Sequence, residues 1–283
     1  MKSTQIEINA ANVKELILAE GIDLVGIADA RNLLLANPPR PATKVMPSAK
    51  TVVVMAVAHS LGAVYAPDIL VWTRNKMQTS RLLDQVAEKV CRILEREGYL
   101  STPISADKPV AIFKSGYEYK GEKIPHTRFL AHLSLKHAAT SAGLGEIGRN
   151  NLLLTPQYGP HQRLGALITE APLAPDPPFE GKLCTKCGKC ERACPVGALK
   201  DGKYYTDPCY AYWSKGFKQV FPEQMRDWSK YLRVLLQQNK TRDVFIEMSQ
   251  SFITDIDFCI ECMKACPVGT HWEKIRPKLS KGS

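Results

Sequence analysis

The most continuous apolar stretch is Thr51-Val-Val-Val-Met-Ala-Val-Ala58, rich in β-branched residues, and it predicts a strand buried on both faces. From Gln78 to Glu97 the pattern changes. Leu82, Leu83, Val86, Val90, Ile93 and Leu94 recur at helical spacing until Gly98, which predicts a long amphipathic helix. Val13 to Glu20 reads as a short helix stopped by Gly21, and Asp23 to Ala28 as a strand. Val110 to Lys114, Asn151 to Thr155 and Arg163 to Glu170 are strand-like, and Arg128 to Ala142 reads as a second helix ended by Gly143. Residues 32–48 carry Pro38, Pro39, Pro41 and Pro47 and predict a loop.

This mixed order predicts an α+β fold in α/β layers over residues 1–175. The stretch Ala171-Pro-Leu-Ala-Pro-Asp-Pro-Pro178 is semi-rigid and makes a natural boundary. A smaller domain follows over 176–283, with an inserted helical segment at about 210–257 that includes a helix over Asp227 to Gln238.

That smaller domain holds eight of the nine cysteines, as Cys184-x2-Cys187-x2-Cys190-x3-Cys194-Pro195, then Cys209, then Cys259-x2-Cys262-x3-Cys266-Pro267. In the bacterial ferredoxin run, three close cysteines wrap one 4Fe–4S cluster and the fourth, before proline, ligates the other. The first motif fits that run. The second has Ile256 where its first cysteine belongs, and Cys209 restores the count to eight. The spacing predicts two 4Fe–4S clusters, one on Cys184, Cys187, Cys190 and Cys266, the other on Cys194, Cys209, Cys259 and Cys262. A three-iron second site, or Asp257 in place of Cys209, are the alternatives. A zinc ribbon gives no role to the third close cysteine or the Cys-Pro endings. Disulfides need an oxidising compartment, for which the chain carries no signal. Cys91 lies near the helical stripe and reads as a small buried core thiol.

Apolar content of 45% and charged content of 23% suit a soluble globular chain, and no run of eighteen apolar residues predicts a membrane span. Neither a Sec signal nor a twin arginine is visible, so the expected location is the cytoplasm. The formal charge is +10. Two oxidised cubanes on eight thiolates would lower it by about 4. Residues 182–283 carry 18 Lys and Arg against 11 Asp and Glu, so the excess sits with the cysteines. It offsets the clusters' own charge or steers acidic partners.

Gly143-Leu-Gly145-Glu-Ile-Gly148 matches a dinucleotide fingerprint letter for letter. That fingerprint needs a strand before it and a helix after it, and the predicted context is the reverse. A helix-stop loop whose glycines admit a close backbone is the better reading.

The segment Ser134-Leu-Lys-His-Ala-Ala-Thr-Ser-Ala-Gly-Leu-Gly-Glu-Ile-Gly-Arg-Asn-Asn-Leu-Leu-Leu-Thr-Pro-Gln-Tyr-Gly-Pro160, continuing through Arg163-Leu-Gly-Ala-Leu-Ile-Thr-Glu-Ala-Pro-Leu173, resembles cobalamin-dependent iron–sulfur reductases. These are the epoxyqueuosine reductases and reductive dehalogenases, and the cysteine order with its isolated Cys209 is also similar to theirs. The resemblance implies a nitroreductase-like domain that holds a base-off corrinoid (cobalamin), joined to a ferredoxin-like domain with two clusters. It implies that Gly143, Gly145, Gly148, Asn151, Leu153, Tyr158 and Gly159 line the corrinoid. It also implies an external low-potential donor of ferredoxin or flavodoxin type and a small organic substrate. The basic cysteine region leaves a second reading, an electron-transfer iron–sulfur protein that reductively activates a corrinoid protein.

Where epoxyqueuosine reductases place a catalytic aspartate, this chain reads His126-Thr-Arg-Phe-Leu130, and it stops seventeen residues after Cys266. Both features argue against a tRNA substrate. Reduction also needs a proton donor. Tyr117 and Tyr119, expected on a loop, are the candidates, against a reading as plain surface anchors. Arg149 and Arg163 could hold an anionic group or simply sit at a solvated rim.

Overall fold

The computed structural model describes residues 7–33, 41–106, 111–119, 122–209, 212 and 259–275, with backbone only over 111–119 and 122–130. The predicted helix Asp227 to Gln238, and most of the inserted segment, lie outside these residues.

A four-stranded antiparallel sheet organises the first part, in the order β1 (Leu24–Asp29), β2 (Thr51–Ala58), β8 (Gln162–Thr169), β3 (Ser101–Ile104). β2 is central and buried almost throughout, as its unbroken apolar run predicts. Its alternate residues feed two cores. Val53, Met55 and Val57 pack with Val13 and Ile17 of α1 (Ala10–Ala19) and with Leu83, Val86, Val90 and Leu94 of α3 (Ile69–Arg96). Val52 and Val54 pack on the other face with Ala138 and Ala139 of α4 (Leu135–Ser141), Leu153 and Ile168. Three layers result, helix on sheet on helix. Pro103 sits on β3, at the sheet edge, where a missing donor costs no ladder bond.

α3 starts nine residues before the expected Gln78. The Asp68 side chain accepts from Leu70 N at 2.9 Å and caps it, while Trp72, Thr73 and Lys76 are buried on a face with no aliphatic stripe. The helix expected over Arg128 to Ala142 is corrected. Its first residues belong to β5 (Glu122–Leu130), paired antiparallel with β4 (Ala111–Tyr119), and only α4 is helical. Phe129, Leu130, Leu133 and Leu135 mimic helical spacing, but cross-strand pairing satisfies the backbone of Arg128, Phe129 and Leu130 instead. Short α2 (Leu61–Val64) follows β2.

After α4, Gly143 at φ 73° ends the helix, and β6 (Glu146–Ile147) pairs with β7 (Leu153–Leu154). The glycine motif therefore lies between helix and strand, the reverse of a dinucleotide site. The proline-rich stretch is held across the first part: Asp176 accepts from Ile27 N at 2.8 Å and pairs with Lys14. Among the described residues, no helix is long and apolar enough to cross a membrane.

Candidate functional site

The cysteine segment is hung on the sheet region by named attachments. Glu146, inside the glycine motif, accepts from Leu183 N and Cys184 N at 2.5 and 2.6 Å and sets where the first cysteine loop begins. The loop then turns through Lys186 (φ 53°) and Gly188 (φ 71°) into α5 (Lys189–Ala193). A hairpin follows, β9 (Leu199–Lys200) and β10 (Lys203–Tyr204), turned at Asp201-Gly202, both with positive φ as a two-residue turn requires. The second motif forms α6 (Glu261–Lys264), which packs against α5.

Beyond α6 the chain is clamped. Thr270 N donates to Pro156 O at 3.0 Å, His271 N to Gln157 O at 2.9 Å, and Trp272 Nε1 to Tyr158 O at 3.2 Å. Ile260 and Trp272 join Leu61, Val64 and Trp72 in a small apolar cluster, and Tyr65 OH donates to Lys264 O at 2.8 Å.

The thiols fall into two groups by the charges that act on them. Burial raises the Cys266 pKa most, followed by the charges of Cys190, Cys184 and Cys187. Burial also raises Cys259, with Cys209, Glu261 and Cys194 adding to it. Cys262 is pushed up to about 12, by burial and then by Cys259, Cys209 and Cys194, with Cys190 last. Cys187, at the surface, is instead lowered, chiefly by a hydrogen bond from the Lys189 backbone. Backbone donors reach other sulfurs as well: Arg149 N to Cys184 Sγ at 3.5 Å, Ala198 N to Cys194 Sγ at 3.2 Å, and the backbones of Glu191, Glu261 and Val268 to Cys190, Cys259 and Cys266. Cys184, Cys187, Cys190 and Cys266 wall one pocket together with Arg149 and Asn150. The Asn150 Nδ2 there is buried and has no partner among the described residues. Among those residues, no three His, Cys, Asp or Glu side chains stand as close as a single metal ion requires. A cubane spreads its four sulfurs over four corners and asks for wider spacing than one tetrahedral ion.

A larger cavity of about 570 Å³ opens between the sheet and the second motif, within the range of cofactor pockets. Cys259, Ile260, Cys262 and Met263 form one wall. His59, Trp72, Leu133, Lys136, Gln162 and Arg163 contribute to the rest, none of which is acidic. Burial is the main reason the His59 pKa falls to about 3, and the Arg163 charge is the next. This imidazole is neutral at pH 7, and it meets Trp72 edge-on at 4.5 Å between ring centroids. Arg163 donates to Ala106 O at 2.7 Å and Ser80 Oγ at 3.1 Å, and Lys136 donates to Asn151. Trp72 Nε1 is buried without a partner among the described residues.

Of the residues that the resemblance assigns to a cofactor, Asn151 and Leu153 line this cavity. The others do not. Gly143 packs on Pro177 O, Gly145 on Leu154 O, and Gly148 on Leu154 and Asn150. Gly159, at φ 58°, lets Val268 O approach closely, so its lack of a Cβ serves the clamp. Tyr158 is not a cavity wall: it packs against both His271 and Trp272 and donates to Asp23 at 3.3 Å. Tyr117 and Tyr119 are on strand β4, not on a loop, near the far end of the hairpin from Ala111 and Leu130. That places Tyr117 about 20 Å along the strand from the hairpin base. Arg149 faces the other cysteine group, where it pairs with Glu191 at 3.4 Å. His59, Trp72 and Glu146 carried no signal beyond their place in apolar or glycine-rich segments.

A 4Fe-4S binding domain model matches residues 178–200. An epoxyqueuosine reductase of Listeria monocytogenes is 37% identical over 112 residues, covering 38% of this chain and 29% of that protein. The chain thus spans under a third of the length of the curated relatives it matches. A solved reductive dehalogenase, described with a mechanism for B12-dependent dehalogenation, has a similar fold, with a TM-score of 0.56 and 21% identity over 77% of this chain and 31% of that one. An epoxyqueuosine reductase solved with a modified tRNA stem loop gives a TM-score of 0.50 and 21% identity, over 70% of this chain and 55% of that one. The relatives are the two groups to which the segment 134–173 points. The expectation against tRNA is not supported, because a tRNA-bound reductase is among the neighbours in fold.

Proposed function

We propose that this chain is an iron–sulfur, corrinoid-dependent reductase. The observation that carries the reading is the shared wall: Cys259 and Cys262 line the 570 Å³ cavity, so their group lies directly against whatever fills it. The two thiol groups suit two 4Fe–4S clusters, with Cys184, Cys187, Cys190 and Cys266 on one, and Cys194, Cys209, Cys259 and Cys262 on the other. The pocket on the first group has backbone and amide donors of the kind that stabilise cluster sulfur. The cavity suits a base-off corrinoid, since it is roomy and lined by both apolar and polar groups, with Asn151, Leu153 and an unpartnered Trp72 N–H in its wall.

When bound, the clusters supply single electrons and the corrinoid carries out the reduction of substrate. The protein supplies position and field. Lys136 and Arg163 make the cavity electropositive and favour an anionic group, and neutral His59 adds no charge against it. Ile260, Trp72 and Leu133 supply apolar wall. An external low-potential carrier feeds the first group, in a cytoplasmic setting, and the nitroreductase-like and ferredoxin-like domains divide near residue 176. The acceptor is a small organic molecule. The epoxyqueuosine relative, at 37% identity, favours a tRNA base as the second reading.

Anaerobic reconstitution with iron, sulfide and cobalamin tests the reading. About eight irons and about one corrinoid per chain are expected after gel filtration. Cys209→Ala should lose one cluster's paramagnetic signal and spare the other. Full iron retention in that variant would contradict the ligand sorting, and corrinoid that washes off freely would sink the cavity assignment.

A further inference from the structure

Cys187 is the one exposed thiol of the nine. Lys186 and Lys189 wall its pocket and Arg192 donates to Cys187 O. Lys182 lies two residues before Cys184, and Lys200 and Lys203 lie on the hairpin that packs against α5; all six are exposed. Between residues 181 and 203 only two carboxylates occur. Glu191 is engaged, accepting from Gly202 N at 3.0 Å and pairing with Arg149, which leaves Asp201 as the exposed acid. Among the described residues no ion pair neutralises Lys182, Lys186, Lys189, Lys200 or Lys203. Lys200 and Lys203 stand directly opposite each other in the β9–β10 pairing, where like charges are unfavourable. Among the described residues the segment that carries this thiol thus presents a positive collar, with like charges opposed in its own hairpin.

We propose that this collar is the docking surface for a small acidic one-electron carrier protein, resting on the cluster assignment above. The location decides between partners. The large cavity is lined by Cys259 and Cys262 but by neither Cys184 nor Cys187, so electrons leave at one group and enter at the other. A nucleic acid presenting a base to that cavity would gain little from lysines at the entry group. A carrier gains twice: charge attraction speeds encounter, and the exposed Cys187 brings its redox centre near the first group. In each encounter the reduced carrier loses one electron and the group at Cys184, Cys187, Cys190 and Cys266 gains one. No bond or proton changes place.

The test uses reconstituted holoprotein in stopped flow, reduced by flavodoxin hydroquinone and, separately, by a neutral photoreduced deazaflavin. Lys182→Glu/Lys200→Glu/Lys203→Glu should slow reduction by flavodoxin about 10-fold or more and flatten its dependence on salt. It should leave the deazaflavin rate unchanged, and arginine at the same three positions should retain the wild-type rate. A flavodoxin rate within about twofold of wild type in iron-loaded protein overturns the docking surface alone. The same unmoved rate with weakened binding of a tRNA stem loop assigns the collar to nucleic acid. Protein that takes up no iron overturns the cluster reading beneath it as well.

Discussion

The sheet region and the cysteine segment are built by different rules. Over residues 10–173 the chain packs two cores against the two faces of one sheet, with β2 buried from Thr51 to Val57. Over 182–209 and 259–275 the buried apolar residues are Ala198, Leu199, Ile260 and Trp272. The first region folds by burying apolar area. Among its described residues the second buries little. It is held by attachments that the first region offers, at Glu146, Pro156, Gln157, Tyr158 and Tyr65. Iron is the remaining organiser, since ligation replaces thiol protons and is coupled to folding.

The largest effect should follow from removing that iron. Anaerobic chelation of the holoprotein should erase hydrogen-exchange protection over 182–209 and 259–275, while Val52–Val57, Leu83–Leu94 and Leu164–Ile168 stay protected. Loss of protection in β2 to the same extent would break the comparison, because the sheet would then also depend on the metal.

A smaller effect separates the attachments from the metal. Trp272→Ala removes the anchor of the small cluster and the hydrogen bond to Tyr158 O. Burial of a tryptophan is worth about 3–5 kcal/mol in a core. Here the loss should be local: residues 259–275 exchange and are cleaved faster, and the melting temperature of the sheet stays nearly fixed. Leu83→Ala, wholly buried under β8 and β2, should do the opposite and lower global stability by about 2–5 kcal/mol. A Trp272→Ala variant that melts as early as Leu83→Ala would show one cooperative unit.

The same contrast explains what the sequence discloses. β2 was legible because both faces are buried, so its run is apolar without interruption. The cysteine pattern was legible because spacing alone points to the chemistry, and Cys184, Cys187, Cys190 and Cys266 do meet around one pocket. The first turns of α3 were not, since Trp72 packs with Leu61, Val64, Ile260 and Trp272 rather than along an aliphatic stripe, and the buried Thr73 and Lys76 are polar. The cavity wall was invisible for a related reason. His59, Trp72, Lys136, Arg163 and Ile260 come from five distant segments, each unremarkable in its own neighbourhood. The glycines misled in a consistent way. They admit neighbouring backbone at Leu154, Pro177 and Val268, so they build the support of the site rather than its lining.

The smallest expected effect belongs to the sheet side and concerns acid. His59 is buried and neutral, with a pKa lowered to about 3 by desolvation and by the charges of Arg163, His161 and Lys76, against an opposing hydrogen bond with Asn75. In the unfolded chain its pKa returns to about 6.5. Between those values the unfolded state binds a proton that the folded state refuses, so stability rises with pH across this window. The contribution of neutral burial is complete above about pH 6.5 and is lost as pH falls toward 3, by at most about 1.4 kcal/mol per pH unit. Urea unfolding of iron-free protein at pH 7 and pH 5 reads this without cluster loss. His59→Gln should reduce the difference between the two pH values by roughly one proton's worth, whatever it does to stability at pH 7. Equal pH slopes in the two proteins would mean that His59 binds its proton equally well folded and unfolded, so that burial does not hold it neutral in the cavity.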